Sequence, residues 1–239
     1  MHAAHEYNQA LRFGAKVEAN ERLPIGSGEV TQGVAPYREQ LSVGSDSLMG
    51  RIRIKKIDLD LPIYHGTDDD TLLKGVGHLE GTSLPVGGAN THSVLTAHRG
   101  LANAAMFTYL DRIEEGDTFN LEIFGQILTY QVERTRVVEP EDTEALQIRA
   151  DADLVTLITC TPLGINSHRI LVTGHRIPTP ENAPQSGAVP EVPRFPWWTI
   201  WLSATYIAAA AYVWREGYPV QKKNRKKTTS APSSSPRQS

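Results

Sequence analysis

Cysteine is nearly absent from this sequence, because Cys160 is the only one among 239 residues. A single thiol excludes an intramolecular disulfide and a structural zinc site built from paired cysteines. A lone cysteine is most often a small buried apolar side chain. Any chemical role for Cys160 must therefore be argued from the residues around it.

Basic charge is scarce until the last part of the chain. The first 214 residues carry 17 Lys/Arg and 26 Asp/Glu, a net charge of −9, whereas residues 215–239 carry seven and one. An acidic folded part disfavours nucleic-acid binding.

Motifs for nucleotides and cofactors are also missing. Gly87-Gly88 lacks phosphate-loop spacing, and no motif predicts a cofactor. Asp68–Asp70 favour a helix N-terminus, with a calcium site as the weaker alternative.

Long amphipathic helices are also missing, and 15 prolines and 19 glycines indicate many turns. Alternating or β-branched runs predict strands at residues 51–57, 61–64, 92–97, 118–124, 127–138, 154–159 and 169–177. Short helices are predicted at residues 3–12, 106–110 and 142–146, and residues 20–36 and 75–88 are predicted to be irregular loops. This pattern predicts an all-β barrel or sandwich of seven or eight strands.

The 18 residues from Trp197 to Trp214 form a predominantly apolar stretch without charge. As a helix it would extend about 27 Å, close to the ~30 Å hydrocarbon core of a bilayer. Aromatic residues flank it, and residues 222–227 are strongly basic. We therefore expect a linker at 179–195, a transmembrane helix at 196–214 and a cytoplasmic disordered tail at 215–239, with the folded domain outside the cell. A buried core helix is the alternative.

The start of the chain shows no export signal, although an extracellular domain needs one. We expect that a hydrophobic N-terminal segment is missing from this sequence.

Three chemically capable side chains adjoin predicted strands. Cys160 ends one apolar run, His98 follows another, and Arg169 begins a third. A thiol needs ionisation to act as a nucleophile, and its leaving amine needs a proton donor such as histidine. A guanidinium can stabilise the resulting oxyanion or hold the substrate. Each residue also has an ordinary structural interpretation, as a core thiol, a surface histidine or a strand-end charge.

The surrounding motifs resemble those of sortases, the surface transpeptidases of Gram-positive bacteria. Residues 156–160 (TLITC) are similar to the sortase cysteine signature, residues 96–100 (TAHRG) to the histidine segment, and Arg169 to the arginine of the next strand. Residues 61–67, 75–85 and 160–169 resemble class C, the pilin-polymerising branch.

The resemblance implies an eight-stranded sortase-type β-barrel at residues 49–178, with an N-terminal helical segment at 1–19 and a loop or lid at 20–48. Cys160 would cleave an LPxTG-type sorting signal between Thr and Gly through a thioacyl intermediate. His98 would be the general acid and then the base, and Arg169 would stabilise the oxyanion or hold the peptide. The implied partners are pilin subunits, whose lysine would accept the acyl group, and the cell membrane.

One class C feature is missing. The lid of this class carries an Asp-Pro-aromatic triplet, and the nearest match here, Ala35-Pro36-Tyr37, lacks the acid. We expect residues 20–44 to cover the cleft only weakly.

Two alternative functions stay open. One is a sortase that uses a peptidoglycan amine as acceptor, and the other is a non-catalytic, membrane-tethered binding protein.

Overall fold

The computed structural model describes residues 1–11, 16–18, 25–27, 34–42, 47–101, 104–181 and 198–217. The chain divides into two units, Met1–Pro190 and Glu191–Ser239. The first unit contains helices α1 (His2–Ala10) and α2 (Asp69–Lys74), and the second contains α3 (Trp198–Gly217). Four single-turn 3-10 helices lie at Tyr37–Glu39, Lys55–Ile57, Leu110–Arg112 and Glu144–Leu146.

The described part of the first unit contains twelve strands. In chain order they are β1 (Lys16–Glu18), β2 (Ile25–Ser27), β3 (Leu48–Ile54), β4 (Leu59–His65), β5 (Val76–His78), β6 (Thr91–Thr96), β7 (Arg99–Leu101), β8 (Ala104–Met106), β9 (Thr118–Ile123), β10 (Gln126–Val138), β11 (Asp153–Thr161) and β12 (His168–Ile177).

Eight of these strands form a closed barrel in the order β10-β12-β11-β6-β5-β4-β3-β9. The β6–β11 and β4–β5 pairs are parallel, and the others are antiparallel. The two remaining pairs, β1–β2 and β7–β8, form separate two-stranded ribbons. The predicted all-β, eight-stranded barrel with short helices is confirmed.

The two faces of the barrel wall contact different apolar clusters. Leu95, Leu157 and Val172 belong to the main core inside the barrel and have no exposed surface. Each such side chain contributes roughly 1.5–3 kcal/mol to folding through burial. Ile158 and Leu171 point to the opposite face and pack into a smaller cluster with Leu79, Val94 and Leu146. We call this opposite side of β6, β11, β12 and β10 the outer face.

One barrel strand was not predicted. Residues 75–88 were expected to be irregular because of their glycines, but Val76–His78 form β5, which joins β4 to β6. A Cβ atom on Gly77 would overlap the backbone carbonyl oxygen of Gly66. This glycine therefore permits a close approach between neighbouring segments of chain, and its presence does not indicate a loop.

The N-terminal region differs from its predicted boundaries. The helix predicted within residues 1–19 ends at Ala10, and β1 follows at Lys16–Glu18. The predicted loop at residues 20–36 contains β2, which pairs with β1. Propensity alone did not reveal this ribbon, since three-residue strands carry too short a pattern to be recognised. Residues 20–24, 28–33 and 43–46 of the predicted lid lie outside the described residues.

Helix α1 is attached to the barrel unit by a buried polar contact. Tyr7 and Leu11 share the buried face that their spacing predicts. Between them, the Asn8 side chain donates a hydrogen bond to the Leu84 carbonyl oxygen (3.0 Å) and accepts one from the Leu84 amide (2.7 Å). The helix is therefore held to the segment that precedes β6 by both polar and apolar contacts.

Helix α2 begins where the acidic residues predicted it. The Asp68 carboxylate accepts a hydrogen bond from the Thr71 amide (3.0 Å), as an N-cap does. This contact lowers the pKa of Asp68. Asp69 and Asp70 lie in the first turn, where the helix dipole favours negative charge.

The second unit contains the helix that was predicted over residues 196–214. Its observed bounds are Trp198–Gly217. No helix in the described part of the chain is both long enough and apolar enough to cross a membrane. Residues 182–197 and 218–239, which include most of the predicted linker and tail, lie outside the described residues.

Candidate active site

Cys160 and Arg169 are cross-strand partners at the end of the β11–β12 pair. They lie directly opposite each other in the antiparallel register, so their side chains project from the same face of the sheet. Cys160 is partly exposed, whereas Arg169 is only 4% exposed. The barrel therefore brings a thiol and a guanidinium together from positions nine residues apart.

The parallel β6–β11 pair brings the chain segments that lead to His98 and to Cys160 together. Thr96 lies opposite Ile158 at the end of the ladder. Beyond the ladder, the Ala97 amide donates to the Ile158 carbonyl oxygen (3.3 Å), and the Thr159 hydroxyl donates to the Ala97 carbonyl oxygen (2.9 Å). His98 directly follows Ala97 and Cys160 directly follows Thr159, so both residues come just after these contacts.

Cys160 and Arg169 lie on the outer face of the sheet. Leu157 belongs to the main core inside the barrel, whereas Ile158 belongs to the outer cluster. Because side chains alternate along a strand, Cys160 lies on the same face as Ile158. The thiol and the guanidinium are thus paired on two neighbouring strands, and His98 comes two residues after the end of a third, β6. Their catalytic roles stay a prediction.

Two opposing effects set the protonation of the thiol. Partial burial raises the pKa of Cys160, and the positive charge of Arg169 lowers it by a smaller amount. At neutral pH the protonated thiol is therefore the main form. A reaction at Cys160 requires that its proton be transferred, and an imidazole on the neighbouring strand is suited to accept it.

Arg169 is held by the loop that joins β11 to β12. Its Nη1 atom donates to the carbonyl oxygens of Asn166 (2.9 Å) and His168 (3.1 Å). Buried charge is costly unless it is hydrogen-bonded, and these carbonyls offset part of that cost. They also fix the direction of the guanidinium, because its donors form a rigid planar fork.

A second arginine beside the site, Arg99, was not predicted from the sequence. Arg99 donates from Nη1 to the Thr161 hydroxyl (2.9 Å) and from Nε to the Thr108 carbonyl oxygen (3.1 Å), and it forms an ion pair with Asp111 (2.9 Å). Arg99 directly follows His98, and Thr161 directly follows Cys160. The only signal in the sequence was the position of Arg99 within TAHRG, which does not by itself indicate a partner.

The ribbon that contains Arg99 also contacts the loop after Cys160. Gly100 has a φ of +77°, and a Cβ there would overlap the Leu163 side chain. Leu163 and Ile165 of this loop are largely exposed. Glycine at position 100 therefore allows the β7–β8 ribbon to approach the β11–β12 loop closely.

Tyr37, from the triplet that most resembles a class C lid motif, is buried at the side of β5. Its hydroxyl lies 2.9 Å from Nδ1 of His78 and accepts a hydrogen bond from the Gly66 amide (3.1 Å). Burial raises the pKa of Tyr37 far above its usual value. This residue anchors its segment to the barrel, and the hypothesis of a weakly held lid stays a prediction.

Metal binding has no support at the site. Within the described ranges, no group of three or more His, Cys, Asp and Glu side chains could hold a metal ion.

Comparison with known proteins places the barrel in a family. Residues 52–177 match the sortase domain. The crystal structure of sortase C-1 from Actinomyces oris is 48% identical, with a TM-score of 0.67, over 74% of this chain and 97% of that one. Sortase C of Streptococcus pneumoniae, described in connection with catalysis and pilin substrate specificity, is 43% identical, with a TM-score of 0.63, over 74% of this chain and 86% of that one.

Another sortase is similar to this chain over a shorter stretch. Sortase D of Bacillus subtilis is 32% identical over 131 residues, which is 54% of this chain and 63% of that protein. The match thus spans less than two thirds of that relative.

Proposed function

Because this chain belongs to the sortase family, we propose that it is a cysteine transpeptidase that joins pilin subunits. The observation that carries the proposal is the cross-strand pair of Cys160 and Arg169, beside the strand β6 that leads to His98. The likeness to two sortase C structures, at 48% and 43% identity, supports the pilin-polymerising branch. The substrate class is a sorting signal of the LPxTG type.

The first half of the reaction cleaves the donor peptide. The Cys160 thiol passes its proton to His98, and the thiolate attacks the carbonyl carbon of the threonine that precedes glycine. The carbonyl oxygen becomes an oxyanion, which the Arg169 guanidinium stabilises. His98 then donates the proton to the departing glycine amine, the C–N bond breaks, and a thioester to Cys160 is left.

The second half transfers the acyl group to a lysine of another pilin. His98 takes a proton from the lysine ammonium, and the neutral amine attacks the thioester carbonyl. The C–S bond breaks with its electron pair going to sulfur, the thiolate takes the second proton from the amine nitrogen to restore the Cys160 thiol, and an isopeptide bond joins the two subunits. His98 then releases its proton to solvent. Water can replace the amine, so a closed cleft favours transfer over hydrolysis.

The test is product analysis with the full chain. A pilin that carries an LPxTG-type signal should form ladders of covalent multimers, and mass spectrometry should locate an isopeptide bond at a lysine. Cys160→Ala should give no product and Cys160→Ser almost none. If the product is only monomer joined to a wall peptide, the acceptor is peptidoglycan, and if Cys160→Ala forms product unchanged, the catalytic assignment is wrong.

We also propose that the catalytic domain works at the outer surface of the cell membrane. The support is in the sequence, where a charge-free stretch precedes basic residues 222–227. A membrane-impermeant thiol reagent should then label Cys160 on intact cells. Labelling that requires cell lysis would contradict this location.

A further inference from the structure

A cavity of about 280 Å³ opens on the outer face of the barrel, beside the 3-10 helix at Glu144–Leu146. Its walls include Arg134 and Arg136 from β10 and Leu171 and Thr173 from β12. The mechanism proposed above does not use these residues. The cavity is therefore a candidate site for a part of the substrate that lies away from the cleaved bond.

The strand register connects this cavity to the candidate nucleophile. Arg136 lies opposite Leu171, and Arg134 lies opposite Thr173. Leu171 in turn lies opposite Ile158, which is two residues from Cys160. Each step of two residues along a strand covers about 6.6 Å. The cavity thus extends from about 7 Å to about 13 Å or more from Cys160, along the same face.

The cavity has a surplus of positive charge. Arg149 is neutralised, since its Nη1 and Nη2 atoms each lie 3.0 Å from a carboxylate oxygen of Glu133. Arg134 and Arg136 have no hydrogen bond or ion pair within the part of the chain that the structure describes. The remaining acid on the wall, Glu144, is exposed to solvent. The positive charges of Arg134 and Arg136 therefore outnumber the one remaining negative charge, that of Glu144. This excess of positive charge favours an acidic ligand.

The polar side chains at the floor of the cavity already have hydrogen-bond partners within the protein. His92 lines it with Nδ1 2.8 Å from the Gln147 carbonyl oxygen and Nε2 2.7 Å from the Thr156 hydroxyl. The Thr156 hydroxyl lies 2.8 Å from that of Thr173. Burial lowers the pKa of His92, so this imidazole is neutral at physiological pH. The charge available to a ligand is therefore that of the arginines.

We propose that this cavity binds an acidic side chain of the donor peptide, upstream of its LPxTG-type motif, through Arg134 and Arg136. The inference rests on the proposed function and adds a determinant of substrate choice to it. An extended peptide advances about 3.3 Å per residue, and the threonine at Cys160 is the first position before the cleaved bond. The far end of the cavity, about 13 Å or more from Cys160, is therefore reached by position five or six, which lie just upstream of the four residues Leu-Pro-x-Thr. That part of the donor stays attached to Cys160 in the thioester, so the contact serves both halves of the reaction.

The test measures binding and turnover with matched peptides. Fluorescent LPxTG-type peptides carry Glu, Gln or Lys at each of positions five to eight before the cleaved bond, all upstream of the motif, and a second set varies the same distances after it. Kd is measured by anisotropy with the full-chain Cys160→Ala variant, and KM with the active chain. Arg134→Gln combined with Arg136→Gln removes the proposed contact, and Arg112→Gln changes an exposed arginine outside the cavity as the matched control.

We expect Glu at position five or six to bind about three- to tenfold more tightly than Gln, because a partly screened charge pair is worth about 1 kcal/mol. The preference should weaken at high salt, disappear in the double variant and persist in Arg112→Gln. Equal binding of Glu and Gln at every position, or a preference that the double variant keeps, would overturn the proposal. A preference confined to the downstream set would overturn it as well. If no peptide is bound or cleaved, whatever its charge, the proposed function itself fails.

Discussion

The Arg99 guanidinium donates a 2.9 Å hydrogen bond to the Thr161 hydroxyl, and so joins the residue after His98 to the residue after Cys160. Neither side chain has an assigned part in the chemistry. Their bond nevertheless links the start of β7 to the end of β11, directly beside His98 and Cys160 in the chain. We infer that Arg99 is a positioning residue for this pair.

Removing this link should slow catalysis more than it weakens binding. We expect Arg99→Lys and Thr161→Val each to lower kcat roughly tenfold or more with little change in KM, since a small misplacement of reacting groups is costly. The two changes combined should cost about as much as Arg99→Lys alone, because Thr161→Val removes only a bond that Arg99→Lys has already removed. The measurement is steady-state peptide cleavage.

Arg112→Lys serves as the control, because Arg112 lies 4.1 Å from the Tyr109 ring centroid and is exposed. It should leave kcat unchanged. Fully additive losses in the double variant, or a rise in KM alone, would contradict the positioning role of Arg99.

The charge of Arg169 should be visible in the reactivity of the thiol. Burial raises the pKa of Cys160 and Arg169 opposes that rise, so removing the cation raises the pKa further. The alkylation rate of Cys160 rises with pH as the thiol ionises, and in Arg169→Gln the midpoint of this rise should move to higher pH. In Arg169→Lys the midpoint should stay closer to that of the native chain. Alkylation rates across pH 6–11 give the profile. A midpoint that falls in Arg169→Gln would exclude the electrostatic effect.

Much of the site could be predicted because it lies at strand ends. Apolar β-branched runs define β6, β11 and β12, and the reactive residues stand beside these runs in the sequence. The row formed by Cys160 and Arg169 then follows from antiparallel pairing. The parallel register that brings in His98 could not be derived, because it depends on how 62 residues of intervening chain close the barrel.

The features that sequence patterns missed depend on contacts between distant segments. Strand β5 contains Gly77, and its glycine is explained only by the nearby Gly66 carbonyl. The partners of Arg99 come from three different segments. Tyr37 was considered as part of a lid, but its hydroxyl bonds within the barrel wall. In each case the local residues fit a common loop or surface pattern, and the tertiary neighbour decides the role.

A buried histidine should make the barrel sensitive to acid. Burial lowers the pKa of His78 from 6.5 to about 4. Below pH 6.5 the unfolded chain therefore binds a proton that the folded chain does not, and stability is lost as pH falls towards 4. We expect His78 to account for about 2 kcal/mol of lost unfolding free energy between pH 7 and pH 5.

Urea titrations at several pH values measure this effect. His78→Gln should be less stable at pH 7 but should lose less stability on going to pH 5. His168→Gln, which changes an exposed histidine, should keep the native pH dependence. If the unfolding free energy of His78→Gln falls with pH as steeply as that of the native chain, groups other than His78 cause the loss of stability in acid.

The contact between Asn8 and Leu84 should determine whether α1 stays attached to the barrel. Asn8→Ala leaves both the amide and the carbonyl of Leu84 buried without their partner. An unsatisfied buried polar group costs about 1–3 kcal/mol, so we expect a loss of about 2–4 kcal/mol of unfolding free energy, or release of the helix before global unfolding. Gln9→Ala, on the exposed side of the same helix, should change stability by less than about 0.5 kcal/mol. Hydrogen exchange of the α1 amides together with urea unfolding distinguishes local release from global loss, and equal effects of the two substitutions would show that the polar contact does not hold the helix.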